Sequence, residues 1–224
     1  SFTGGIAVTG STSHTAGDIT NSISGSYKLF GANGTAGSNS YVTYCFEGDN
    51  DTGMNRTGNN NLQLVTAGAA AIKIDGAGIV TKPLQPAFMG LSATATNLAI
   101  QTWHTIVFSS ERFDNNNDFS SNTFTAPVTG RYQLSGYIRI DVIDTASDYL
   151  SISIVTSNRS YPNVWIIDPG VLASDPAYWS GSFAILADMD ASDTSHVKFF
   201  QNGGSSQSIA KSSDQTWFSG YLVA

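Results

Sequence analysis

The sequence predicts an all-β protein in two parts: a thin-cored N-terminal region and an antiparallel β domain that fills the C-terminal half. Three observations carry this reading. The first is alternation over Arg131–Val142. Tyr132, Leu134, Ile138, Ile140 and Val142 fall on one side, and Arg131, Gln133, Ser135, Tyr137, Arg139 and Asp141 on the other, as in a half-buried strand. The second is composition. With 22 Gly, 9 Tyr, abundant Ser, Thr and Asn, and only 12% charged residues in 224, the chain suits strands joined by many turns. The third is the scarcity of apolar residues at the start. Residues 1 to about 44 offer Ile6, Val8, Ile19, Ile23, Tyr27, Leu29 and Phe30 amid Gly, Ser, Thr and Asn. That is too little to offset the roughly 1–2 kcal/mol of backbone entropy lost per ordered residue. Order in this stretch is expected only against other chains.

Residues 41–83 contain three short strand-like runs, Tyr41–Phe46, Leu62–Thr66 and Ala71–Asp75. They are separated by the turn-forming sets Gly48–Gly53, Asn59–Asn61 and Gly76–Gly78. Three such strands do not make an independent core, whereas interlocking copies do. From residue 84 onward the strand and turn rhythm is continuous. Strands are expected near 86–93, 102–110, 119–125, 131–142, 148–157, 163–167, 178–187, 195–201 and 214–223, with Pro127 and Gly130 turning the chain into the alternating strand.

Charge narrows the partners. The net charge of −7 comes from 17 acidic and 10 basic residues, and the acids are nearly all Asp, which favours loops. No Lys or Arg cluster is present to neutralise a row of phosphates, which argues against nucleic acid. Insertion into a membrane is not expected either, because no run approaches the roughly 20 apolar residues of a spanning helix. Cys45 is the single cysteine, so no intrachain disulfide is available, and it is expected to be a buried small hydrophobe. Ser1 is not an initiator, so the chain is expected to be either processed or part of a longer protein.

Two segments resemble known families. Asp51-Thr52-Gly53-Met54, then Asn61–Gly68, then Ile72–Val80 resemble a segment that recurs in tailed-phage fibres and appendage proteins. There a DTGI-like turn, an apolar strand and an I-x-I-x-x-x-G hairpin intertwine as a trimer; Met54 stands here where Ile or Leu is commoner. Residues 84–224 resemble the C1q-like jelly roll of the C1q and tumour necrosis factor superfamily. The signs are Pro86-Ala87-Phe88, the F-x-A-P-x-x-G-x-Y pattern of Phe124–Tyr132, and the closing Thr216–Val223. The usual Gly-Asp pair ahead of a late strand is replaced by Leu186–Asp193. The first resemblance covers about residues 41–83 and the second about 84–224; with the composition of residues 1–40 added, they imply an intertwined trimeric β shaft over residues 1–83 and a C1q-like antiparallel jelly-roll head over residues 84–224.

In such a head the first and last strands pair, and alternate connections lie at one end. The far end is then built from the connections around Ile143–Ser147, Asp168–Ala177 and Asn202–Ser213. Its candidate binding residues are Asp144, Asp168, Asp175, Tyr178, Trp179 and Lys211. Exposed aromatic, amide and charged groups suit a saccharide or protein receptor. Taken singly, Tyr178 and Trp179 are better read as strand residues with one facing the core; the rim as a surface is better read as a binding face.

Metal and catalytic readings are weaker. Asp188-Met189-Asp190-Ala191-Ser192-Asp193 resembles the opening of a calcium loop, but the glycine required at the sixth position is Asp193 and the bidentate acid at the twelfth is Phe199. A solvated acidic turn is the expectation there. The resemblance to C1q-like trimers also leaves open a cation held by Asp144, Asp148, Asp168 and Asp175. His14, His104 and His196 stand apart, with no nucleophile motif, so neither an enzyme nor a cofactor is expected. The sequence is thus read as an external phage virion protein, a homotrimeric fibre or appendage whose head binds a host-surface receptor. The alternatives are a virion decoration or joint contacting other virion proteins, or a host-glycan depolymerase.

Overall fold

Five antiparallel strands form a meander at the start of the described residues: β1 (Tyr44–Phe46), β2 (Asp49–Asn55), β3 (Leu62–Thr66), β4 (Ala69–Ile74) and β5 (Val80–Thr81). The computed structural model describes residues 42, 44–46, 48–92, 95–205, 207–209 and 214–224. The expectations for residues 1–41 lie outside them. β2 was expected to be a turn, and its Asp and Asn residues favour one. Pairing on both edges overrides that preference, and Gly53 lets β2 approach β1 so closely that a side chain there would run into the Tyr44 carbonyl. The β3–β4 hairpin closes through Ala67 and Gly68, both at positive φ (47° and 71°), the two-residue turn whose twist matches its strands. Asp75 shapes the β4–β5 turn, its Oδ1 accepting from the Ala77 and Ile79 amides at 2.9 Å each.

Register decides which side of this sheet is apolar. Tyr44 faces Met54, Met54 faces Leu64, and Leu64 faces Ile72; in the next row Leu62 faces Ile74, which faces Val80. All seven share one face, and Tyr44, Met54, Leu62, Leu64 and Val80 are exposed on it. The buried residues of β3 are Gln63 and Val65, on the opposite face. Cys45 is exposed rather than buried, because β1 is an edge strand with a single neighbour and every residue of it is open to solvent.

The remaining strands build a two-sheet sandwich. They are β6 (Ala87–Ser92), β7 (Ala95–Leu98), β8 (His104–Thr105), β9 (Phe108–Asp114), β10 (Phe119–Ser120), β11 (Thr123–Thr125), β12 (Gly130–Asp141), β13 (Ser147–Thr156), β14 (Ser160–Ile167), β15 (Tyr178–Met189), β16 (Thr194–Gly203), β17 (Gln207–Ile209) and β18 (Trp217–Leu222). One sheet runs β7-β17-β12-β18-β6-β9 with β15 on β12; the other runs β10-β11-β16-β13-β14 with β8 on β16. Strand reversals between the two sheets give jelly-roll topology, with no α-helix among the described residues. The first head strand pairs with the last, Phe88 opposite Gly220.

Between the sheets lies one apolar core. Phe88 is fully buried at its centre, stacked on Phe119 (4.8 Å) and Phe124 (4.6 Å) and edge-on to Phe218 (5.2 Å). Tyr132, Leu134, Ile138 and Ile140 of β12 enter this core as the alternation requires, and the Tyr132 hydroxyl donates to the Val128 carbonyl at 2.7 Å. Val142 departs from the pattern. The backbone turns left-handed there (φ 57°), leaving Val142 66% exposed and swinging Ile143 into the core instead.

Two predicted strands are broken for topological reasons. The run 102–110 changes sheets: β8 pairs with β16 and β9 with β6, the crossing held by the Ile106 amide donating to the Val197 carbonyl at 2.9 Å. The run 119–125 is a small hairpin, because Ser121 and Asn122 take positive φ and the Asn122 side chain accepts from the Phe108 amide.

Candidate functional site

Gly130, at the start of β12, lies beside Leu222 and Met189, whereas Asp141, at its end, lies beside Tyr178. The connections therefore separate into two ends as expected. Those at 142–146, 168–177 and 204–205 gather away from Ala224, whose carbonyl accepts from the Arg131 amide at 2.7 Å.

At the far end the carboxylates act as braces. Asp144 accepts from the Ala146 amide (2.8 Å) with one oxygen and from the Ser205 amide (2.6 Å) and hydroxyl (2.8 Å) with the other, tying the β12–β13 loop to the end of β16. The Ala146 amide, followed by the Ser205 hydroxyl and amide, holds the Asp144 carboxyl below the usual carboxylate range. Asp175 accepts from the Thr145 hydroxyl (2.6 Å) and amide (2.8 Å), bonds that lower its pKa in the same way, the hydroxyl contributing most. Asp168 caps the short 3-10 turn Pro169–Val171 by accepting from the Gly170 amide at 2.8 Å. The Val142 and Ile143 amides donate to the Ala177 and Pro176 carbonyls, so the 168–177 connection lies directly against the β12–β13 loop.

Alternation along β15 separates the two aromatics. Tyr178 points outward and is 58% exposed, opposite Asp141. Trp179 lies opposite the buried Ile140 and packs against the core. The structure thus brings Asp144, Asp168 and Asp175 together on one rim, sets Tyr178 at its edge and turns Trp179 inward. Lys211 lies outside the described residues. Among the described residues no group of three or more His, Cys, Asp or Glu side chains is placed to share a cation.

The rim includes a residue the sequence reading passed over. The Arg139 guanidinium lies 4.3 Å from the centre of the Tyr178 ring, with Nε on Asp141 Oδ1 (2.6 Å) and Nη1 on Gln215 Oε1 (2.7 Å). The guanidinium thus holds the exposed ring by a cation–π contact while Asp141 and Gln215 fix the guanidinium. The signal was present: Arg139 and Asp141 share the outward side of an alternating strand, which puts opposite charges within reach.

At the opposite end, the Asp188–Asp193 segment is an organised turn. Asp193 accepts from the Ser157 hydroxyl (2.5 Å), the Asp190 amide (2.8 Å) and the Asn158 side chain (3.0 Å), while Asp188 pairs with Arg159 at 2.7 Å.

No family model matches the chain, and no curated protein matches it. Over 62% of its length the chain is similar to a solved globular domain of zebrafish complement 1qA protein, at 17% identity and a TM-score of 0.45, covering 98% of that chain. Over the same share it is similar to murine APRIL in a crystal structure at pH 8.0, at 11% identity and a TM-score of 0.47, covering 99% of that chain. These neighbours are jelly-roll domains of the C1q and tumour necrosis factor families.

Proposed function

We propose that the protein is an external fibre or appendage of a tailed-phage virion, assembled as a homotrimer, whose jelly-roll head carries a host-surface receptor site on its far rim. The observation that carries this reading is the apolar face of the five-stranded sheet. Seven apolar side chains, Tyr44, Met54, Leu62, Leu64, Ile72, Ile74 and Val80, line up across five strands and stay partly or wholly open to water. A continuous face of this kind is stable in solution when further copies cover it. It falls on the residues whose order resembles the intertwined segment of phage fibres, so the register and the motif support the same assembly.

The rim suits contact rather than catalysis. Its described carboxylates accept from amides and hydroxyls of their own and neighbouring loops, and its exposed aromatic ring is stacked on Arg139. Three copies would repeat each rim contact, turning modest affinity into avidity.

Competition tests the assignment. The purified chain should bind host cells and block adsorption of the virion, and virions whose copies lack residues 84–224 should fail to adsorb. Normal adsorption by such virions would refute the receptor role. Binding of the purified chain to virion components alone would favour the joint reading.

A further inference from the structure

Away from the rim, a groove crosses the outer face of the second sheet. Its wall is Trp103, its floor Ser153, Val155 and Lys198, and its far side Ser160 and Pro162, enclosing about 330 Å3. Register accounts for the arrangement: Lys198 lies between Thr105 of β8 and Ser153 of β13, and Val155 lies opposite Ser160 of β14.

Three properties of the groove point to one kind of ligand. The Trp103 indole is 44% exposed yet immobilised, packed on Phe200 at 4.9 Å, which in turn packs on Tyr149 at 5.9 Å. It faces a proline, so both walls are rigid before anything binds. Among the described residues Lys198 is the only charged residue lining the groove and its ammonium makes no ion pair, in a chain whose net charge is −7. His196, two residues along on the same side of β16, is held below its ordinary pKa by burial first and then by Lys198, so at neutral pH the ammonium is the local charge. The Ser160 hydroxyl stands beside these groups.

We propose that this groove binds an acidic saccharide, with the C–H face of one sugar ring on the Trp103 indole, its carboxylate on the Lys198 ammonium and a ring hydroxyl on Ser160. An aromatic plane, one uncompensated cation and a hydroxyl match a uronic-acid unit in shape and charge, and the volume holds about one or two sugar rings. The site is distinct from the rim and does not depend on the assembly or on a virion origin.

The test is a titration of the full chain with trigalacturonate and with maltotriose, a neutral chain of equal length, followed by calorimetry and tryptophan fluorescence. Trigalacturonate should bind saturably and more weakly as salt rises, with maltotriose at least about tenfold weaker. W103A should abolish the interaction. K198Q, a surface change that leaves the strand pairing intact, should weaken it by about tenfold and remove its salt dependence. Equal affinity for maltotriose, unaltered binding by both variants, or no binding at millimolar concentration overturns the assignment. Equal affinity for a short polyglutamate overturns the saccharide class. D144N and D175N, both at the rim, should leave trigalacturonate binding unchanged, so a failure here is separable from a failure of the receptor role.

Discussion

Replacing Leu64 tests the assembly directly. Leu64 sits in the middle of the apolar row, between Met54 and Ile72, and is 45% exposed in one chain. Full burial of a leucine contributes about 1.5–3 kcal/mol, so covering the exposed 45% contributes roughly 0.7–1.4 kcal/mol per copy and about 2–4 kcal/mol per trimer. At about 1.4 kcal/mol per decade, L64A should weaken trimer formation roughly 30- to 1000-fold. L64D should do more, because each of three carboxylates entering an apolar seam adds a desolvation cost of several kcal/mol. Sedimentation equilibrium over a concentration series gives the association constant. The wild type should sediment as three copies, L64A should dissociate at higher concentration than the wild type, and L64D should sediment as one. A wild-type mass of one copy throughout the series, or an L64D trimer as tight as the wild type, refutes the assembly argument.

Further outcomes follow from the head. F88A removes the ring around which Phe119, Phe124 and Phe218 pack, and should cost about 3–5 kcal/mol in denaturant unfolding. The Asp144, Asp175 and Asp193 carboxyls are held below their unfolded value of 3.8, so their stabilisation is fully present above that pH and is lost as pH falls through the lower folded values. Protection of the Thr145 and Ser205 amides, measured relative to their intrinsic exchange rates, should therefore fall on acidification below about pH 4, and D144N with D175N should flatten that dependence. V142G should stabilise the head by about 1 kcal/mol, because glycine relieves a left-handed backbone that a β-branched residue resists; unchanged or lower stability would show the turn to be unstrained.

Local pattern revealed the long strands well. β12, β13, β15 and β16 each pair along most of their length with a neighbour, so side-chain alternation and backbone pairing agree and the sequence shows both. The closing Trp217–Leu222 strand and its pairing with β6 also matched expectation. Elements whose conformation depends on distant partners were harder to see. β2 is a strand because β1 and β3 flank it, despite residues that favour turns. The sheet change at Ile106–Val107 depends on Val197, far along the chain. β7, which pairs with β17, and β17, which pairs with both β7 and β12, are too short for any alternation to be read. At the rim, loop chemistry placed Asp144, Asp168 and Asp175 correctly in connections, but their use as braces depends on Ser205, Thr145 and Gly170 meeting them in space. Trp103 was overlooked because a lone tryptophan beside a turn has no pattern; its groove exists only once β8, β13, β14 and β16 lie side by side.

The position of β18 constrains how the head is made. It is the last of the described strands, yet it lies between β12 and β6 and pairs with both. During synthesis both of those neighbours leave the ribosome with a vacant slot between them, and the sheet is sealed only when Trp217–Leu222 arrives. Until then each presents an unpaired edge of the kind that captures strands from other nascent chains. Deleting Trp217–Leu222 would make that transient opening permanent, so a chain without this strand should be insoluble rather than carry a slightly smaller head.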